Sequence, residues 1–347
     1  MKKNIYDISL ENLRDILVLN GFEKYRARQV FDKLNAGISS FDNINNIPKK
    51  LRLFLNENFY IEKLTLVKRL VSKKDSTKKY LFELADGNTV ETVLMMHNYG
   101  SSICISSQVG CLMGCAFCAS GLNSKIRDLR SSEMAGQIYE VSNIEHIRID
   151  NVVVMGSGEP FDNYENLMKL IKTINDPNRL NIGQRHITVS TCGIVPKIYD
   201  FADENLQVNL AISLHSADNE KRKQLMPIAK KYELDSLKKA ADYYIKKTGR
   251  KLSYEYSLIK NFNDSRADAD KLIRFAGNKL VYVNLIPINT VKENSFERPE
   301  KETIEFFEKY LKKNKVNAVV RKEMGSDING ACGQLRNLIA NSRADMV

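Results

Sequence analysis

From residue 102 to residue 287 the chain repeats one pattern: a short run suited to a strand, then a longer stretch whose apolar residues recur at helical spacing. The runs are Ser102 to Ser106, Asn151 to Met155, His186 to Thr191, Gln207 to Leu214, Leu252 to Leu258 and Val281 to Pro287. Leu167, Leu170, Ile171 and Ile174 typify the stretches between them. Strands that alternate with helices pair in parallel through crossovers. The pattern predicts an α/β fold, a partial (β/α)6 barrel of the TIM type, with functional groups at the C-terminal strand ends where loops converge.

Residues 1–60 read as a small helical accessory domain. Leu10, Leu13 and Leu17 share a face behind a Ser9 cap, and Val30, Phe31 and Leu34 mark a second helix that closes near Gly37. Pro48 opens a third, with Leu51, Phe54 and Leu55 on its buried side. Over residues 61–96 the period falls to two. Lys79 to Leu84, Asp86-Gly87 and Thr89 to Met95 spell a linking β-hairpin. The core then occupies residues 97–347. Its tail carries Ala331-Cys332-Gly333, where a cysteine can lie on a tightly turning loop; taken alone, Cys332 and Cys192 both read as small buried residues.

Four cysteines fall between positions 104 and 118. Cys111, Cys115 and Cys118 have the spacing C-x3-C-x2-C, which offers three thiolates from one loop and leaves a fourth ligand position open. Zinc sites favour paired C-x2-C units closed by four protein ligands, and no second pair follows. A cubane [4Fe-4S] cluster fits better. Gly110 and Gly114 put turn chemistry between the thiols rather than a packed apolar face.

Several strand ends carry further chemistry. Gly156 and Gly158 allow close backbone approach to a ligand, and Glu159 can accept a hydrogen bond from an ammonium group. Ser190, Ser213-Leu214-His215 and Asn289 also end strands, although each alone is an ordinary turn residue. The formal net charge of +11 favours a polyanionic partner. Lys125, Arg127, Arg130, Lys221, Arg222, Lys223, Lys230 and Lys231 are the candidate contributors. No apolar run reaches membrane-spanning length, and Met1 to Asp7 lacks the apolar core of a signal peptide. The expectation is a cytoplasmic protein with no membrane partner, in a reducing compartment that keeps thiols available.

Taken together, Val90-Glu91-Thr92-Val93, the cysteines from Cys104 to Cys118, Gly156 to Pro160, Arg185 to Thr191, Ser213 to His215, Asn284 to Asn289 and Ala331 to Leu335 resemble the RlmN/Cfr family of radical S-adenosylmethionine (SAM) RNA methyltransferases. The resemblance runs from the N-terminal helices to the last strand. Pro160 and the run Arg185 to Pro196 are more similar to the branch that methylates adenine C2 than to the Cfr type, which methylates C8 of the same base. Ser157 stands where the family usually has Met, and Gly330 where Ala is frequent. Both fall in backbone-dominated loops, so the ligand geometry is expected to survive.

The resemblance implies a radical SAM fold with a [4Fe-4S] cluster on Cys111, Cys115 and Cys118 and with SAM as the fourth ligand. It implies SAM contacts from Gly158, Glu159, Ser190, Ser213, Leu214, His215 and Asn289. One SAM would methylate Cys332, and a second would be cleaved to a 5'-deoxyadenosyl radical that activates the S-methyl group. Glu91 would take the ring proton, and Cys104 would attack the Cys332 sulfur, leaving a disulfide bond. The implied partners are 23S rRNA at adenine 2503, tRNA at adenine 37 and an electron donor such as flavodoxin or ferredoxin, with the enzyme a monomer. Two other classes stay open on the residues alone. A radical SAM enzyme acting on a protein substrate explains the cluster loop but not Cys104, Cys332 or Glu91. A non-catalytic iron-sulfur RNA binder explains only charge and cluster.

Overall fold

The computed structural model describes residues 2–38, 40–122, 124–277, 280–288, 295–328 and 330. Ten strands form one continuous sheet whose spatial order follows the chain: β1 (Thr65–Val71), β2 (Lys78–Glu83), β3 (Thr89–His97), β4 (Gly100–Ile105), β5 (Asn151–Val154), β6 (Ile187–Thr191), β7 (Asn209–Ser213), β8 (Leu252–Leu258), β9 (Val281–Pro287) and β10 (Asn317–Val320). Neighbours from β1 to β4 run antiparallel. From β4 to β10 they run parallel. This is the parallel α/β arrangement that the sequence pattern predicts, and β4 to β9 are its six expected strands. β10 adds a parallel strand that the sequence reading passed over, because four residues next to a lysine-rich helix show no clear alternation.

The strand period decides what faces the site. In β9 Val281, Val283, Leu285 and Pro287 are buried while Tyr282, Asn284 and Ile286 are half-buried, and β6 alternates the same way. The buried set packs with the flanking helices in one apolar core. The alternate set includes Thr188, Asn209, Ser253, Glu255 and Asn284, which line the concave side of the sheet. A closed barrel fills that space with branched apolar residues. Here it is open and polar, so a ligand can occupy it.

The hairpin expected around Asp86-Gly87 forms, with Gly87 at φ 80°. It continues the sheet: the register Val93↔Cys104 joins β3 to β4. The N-terminal helices α1 (Leu10–Leu19), α2 (Arg26–Asn35) and α3 (Lys49–Asn58) form as read. Ser9 Oγ accepts the Asn12 N–H at 3.1 Å. Their buried faces share the apolar core of the sheet, and Tyr6 stacks on Tyr139 of α4 (Ser131–Glu145) at 5.2 Å. No described helix is long and apolar enough to cross a membrane.

Candidate active site

At the end of β4 the chain passes through Ser106 to Gly110 into the cysteine loop, and the β5 loop clamps it. Ser107 and Gln108 both donate their N–H to Ser157 O, at 2.8 and 3.1 Å. Gln108 Oε1 accepts the Glu159 N–H at 2.8 Å. A Cβ on Gly158, which sits at φ 105°, would lie 2.6 Å from the Gln108 side chain, and one on Gly156 would lie 2.6 Å from Ile105 O. These glycines therefore admit the neighbouring loop, where the sequence suggested close approach to a ligand.

A cavity of about 320 Å³ opens above the strand ends. Cys111, Cys115, Cys118, Gly158, Glu159, Ser190, Ser213 and His215 all line it. Leu214 differs: its side chain is fully buried in the core and only its backbone belongs to this turn. Asn289 lies outside the described residues. Glu159 is buried, accepting Phe161 N–H at 3.0 Å and Cys192 N–H at 2.7 Å, and burial raises its carboxyl above the ordinary range. His215 sits at φ 56° with Nδ1 accepting the Ser257 N–H at 2.9 Å, so its proton resides on Nε2. Burial, with help from the Arg222 charge, lowers its pKa to about 3 and keeps the ring neutral.

No group of three His, Cys, Asp or Glu side chains among the described residues is arranged to hold a single metal ion. A cubane asks for something else, since each thiolate binds its own iron and the ligands ring a volume. The three thiols fit that demand: they line one cavity and each lies within electrostatic reach of the other two. Without a cluster Cys111 and Cys115 resist ionisation. Burial and then the neighbouring acids and thiols push Cys111 up to about 11 and Cys115 well above its usual value. The cationic iron-sulfur core, before its thiolates are counted, would remove that penalty.

A second cavity of about 230 Å³ adjoins the first, and Met155, Gly156, Ile286 and Arg321 line both. Glu91, Val93 and Met95, which share one face of β3, line it with Cys104 and with Gly330, two positions before Cys332. Glu91 pairs with Lys79 across a 3.4 Å gap, and both are almost wholly buried. Burial pushes the Cys104 thiol up, while the Arg321 charge, the Met155 N–H and Lys79 pull it back. A standing disulfide is not supported: Cys104 is a free thiol and no described cysteine is bridged, so a bond to Cys104 could belong only to turnover. A thiol that must attack another sulfur has to stand reduced beforehand. Cys332 itself lies outside the described residues.

The structure adds two points that the sequence reading did not reach. The hairpin register pairs Lys79 with Val93 and Leu81 with Glu91, making Lys79 and Glu91 diagonal neighbours on one face. Extending that register from Asp86-Gly87 could have found it. Among the basic candidates, Lys125 pairs with Asp128 and Asp162, Arg127 with Asp86 and Glu133, Arg130 with Glu62 and Glu133, Lys221 with Asp268, and Lys223 with Glu220 and Glu233. Arg222 is fully buried, and of that set Arg130, Lys230 and Lys231 are exposed, Arg130 within its ion pairs.

Comparison with known proteins adds the family. Residues 105–275 match the radical SAM superfamily model, and residues 3–61 match the ribosomal RNA large subunit methyltransferase N-terminal domain. A probable dual-specificity RNA methyltransferase RlmN of Clostridium novyi is 49% identical over 342 residues, covering 98% of this chain and 100% of the relative. The chain belongs to the RlmN family. A Clostridium botulinum protein of the same description is 50% identical over 335 residues, covering 96% of this chain and 98% of that one. A radical SAM methyltransferase from Sphaerobacter thermophilus superposes with a TM-score of 0.91 at 38% identity, over 96% of this chain and 98% of that one. As an RlmN-family member the protein is a SAM-dependent RNA methyltransferase, and its superfamily implies a [4Fe-4S] cluster and SAM.

Proposed function

We propose that the protein methylates C2 of adenine 2503 in 23S rRNA and of adenine 37 in tRNA, using Cys332 as methyl carrier. The observation that carries this reading is the pair of adjoining cavities. One gathers three thiols and the strand ends that match SAM contacts, and the other gathers an acid, a thiol and the start of the Cys332 segment. A binder that only held a cluster would have no use for the second.

Adenine C2 is electron-poor and its hydrogen is weakly acidic, so polar methyl transfer has no nucleophile to use. When bound, the cluster supplies the electron that cleaves SAM and opens a radical route. Cys111, Cys115 and Cys118 hold it. Gly158 and Glu159 meet the SAM amino group, while Ser190, Ser213, His215, Asn289 and the Leu214 backbone line the rest of the ligand. The Cys332 thiolate first takes a methyl group from SAM by displacement. Once that carbon is joined to the adenine and the adduct has returned its unpaired electron, Glu91 accepts the ring proton and Cys104 attacks the Cys332 sulfur; the carbon–sulfur bond breaks, its electron pair takes up a proton to complete the methyl group, and the two sulfurs are left bonded.

In this reading residues 1–60 help to dock the RNA, residues 61–96 wall the resolving chamber, and residues 97–347 carry the chemistry. The large-subunit rRNA methyltransferase model that matches residues 3–61 supports the first assignment. The protein works as a cytoplasmic monomer fed by a donor such as flavodoxin or ferredoxin. Nucleoside analysis of RNA treated with the reconstituted enzyme, SAM and a reductant should yield 2-methyladenosine. A product that is 8-methyladenosine would assign Cfr-type chemistry instead.

A further inference from the structure

Arg222 heads the fully buried side chains by size, and its position is unusual for a charge. It rises from α5 (Asn219–Leu225) directly behind the cysteine loop. Ala116 N–H donates to Leu225 O at 2.9 Å, and Cys115 and Phe117 pack against a small apolar cluster that contains Cys192, Leu225 and Met226. Among the described residues the guanidinium donates only to main-chain carbonyls: Cys192 O at 2.8 Å, Leu214 O at 3.2 Å, Ser213 O at 3.3 Å and Tyr232 O at 3.5 Å. No salt bridge joins it to a carboxylate among the described residues.

Neutral carbonyls satisfy its donors but leave its charge uncompensated. A buried charge is normally paired or placed beside a metal centre, because an isolated one is expensive to desolvate. The groups that act electrostatically on Arg222 are the thiols of Cys192 and Cys115, and Cys115 is one of the three cysteines of the cluster loop. A cubane on three thiolates is an anion, and it becomes more so when reduced. We propose that Arg222 is the built-in counter-ion of that cluster, a positioning residue that holds the loop ends together and makes the cluster easier to reduce. The idea rests on the cluster reading above, and it concerns a role that reading does not assign. Net charge and nearby donors are the levers by which proteins set iron-sulfur potentials.

The test is a reductive titration of the anaerobically reconstituted full chain, followed by electron paramagnetic resonance without RNA or SAM. Arg222→Gln keeps amide donors and drops the charge, whereas Arg222→Lys keeps the charge. At a fixed potential Arg222→Gln should hold at least tenfold less reduced cluster relative to oxidised, about 59 mV for a one-electron couple. Arg222→Lys should stay within about threefold of the parent, since it keeps the charge on which the potential depends. Thermal unfolding without iron should show Arg222→Gln folded, because it removes an unpaired buried charge. A variant that folds but loads iron only when the charge is kept would also support the proposal. An unchanged titration in Arg222→Gln would overturn it. So would failure of both iron-free variants to fold, or equal loss of loading in both, since packing or donor geometry would then explain the residue. Wild-type protein that binds no iron would instead sink the cluster reading itself.

Discussion

The cavity around Cys111, Cys115 and Cys118 is made of loops at the ends of parallel strands, whereas its neighbour around Glu91 and Cys104 is walled by the antiparallel strands β3 and β4. In the first, backbone turns and glycines fix the thiols, and burial keeps the His215 ring neutral and opposes ionisation of Cys111 and Cys115. In the second, rigid strand register fixes an acid, a lysine and a thiol within one small space. The difference separates two tasks: making a radical needs ligands arranged around a cofactor, while finishing the reaction needs a base and a nucleophile held still. If that division is right, substitutions in one cavity should leave the task of the other intact.

The largest expected effect is in the first cavity. Cys115→Ala should abolish reductive SAM cleavage to background and reduce iron loading, measured as 5'-deoxyadenosine release and bound iron. Normal cleavage by this variant would remove the cluster from the account. In the second cavity, Lys79→Met leaves the buried Glu91 carboxylate without that cation and should cost about 3–5 kcal/mol of stability in urea unfolding. Adding Glu91→Gln should recover most of it. A loss that the second change did not recover would mean that Lys79 only fills space.

A smaller effect comes from pH. His215 titrates at about 3 when folded and near 6.5 when unfolded, so the folded state binds fewer protons between those values. Its contribution is therefore complete above about pH 6.5 and falls on acidification, by about 2 kcal/mol at pH 5. His215→Asn should flatten that part of the stability profile, and an unchanged slope would show that the ring is not held neutral by its burial.

The two cavities also differ in how well they can be read from the chain. The first is written locally: C-x3-C-x2-C, the Gly-rich turn with Glu159 and the strand-end serines each occupy a few consecutive residues. The six parallel strands were legible for the same reason, since period-two runs mark themselves. Glu91, Cys104 and the Cys332 segment are far apart in sequence, and only the pairing of β3 with β4 unites the first two. Glu91 alone is an ordinary strand acid, and it drew notice only through family resemblance. Charge was read least well. Composition counts lysines and arginines but cannot see that Arg127 and Arg130 share Glu133, or that Arg222 is enclosed. Ion pairing and burial depend on which elements meet, and no local pattern records that.

The division of labour can be tested on one thiol. Cys104→Ala protein, reconstituted with iron and given SAM, reductant and RNA, should still cleave SAM and still join carbon to adenine, because neither step uses Cys104. With no thiol left to attack the Cys332 sulfur, the protein should remain attached to its RNA. Denaturing gels should then show a shifted, nuclease-sensitive band for Cys104→Ala and none for Cys332→Ala. If both variants lost methylation and neither trapped RNA, the two cavities would not be dividing the reaction in this way.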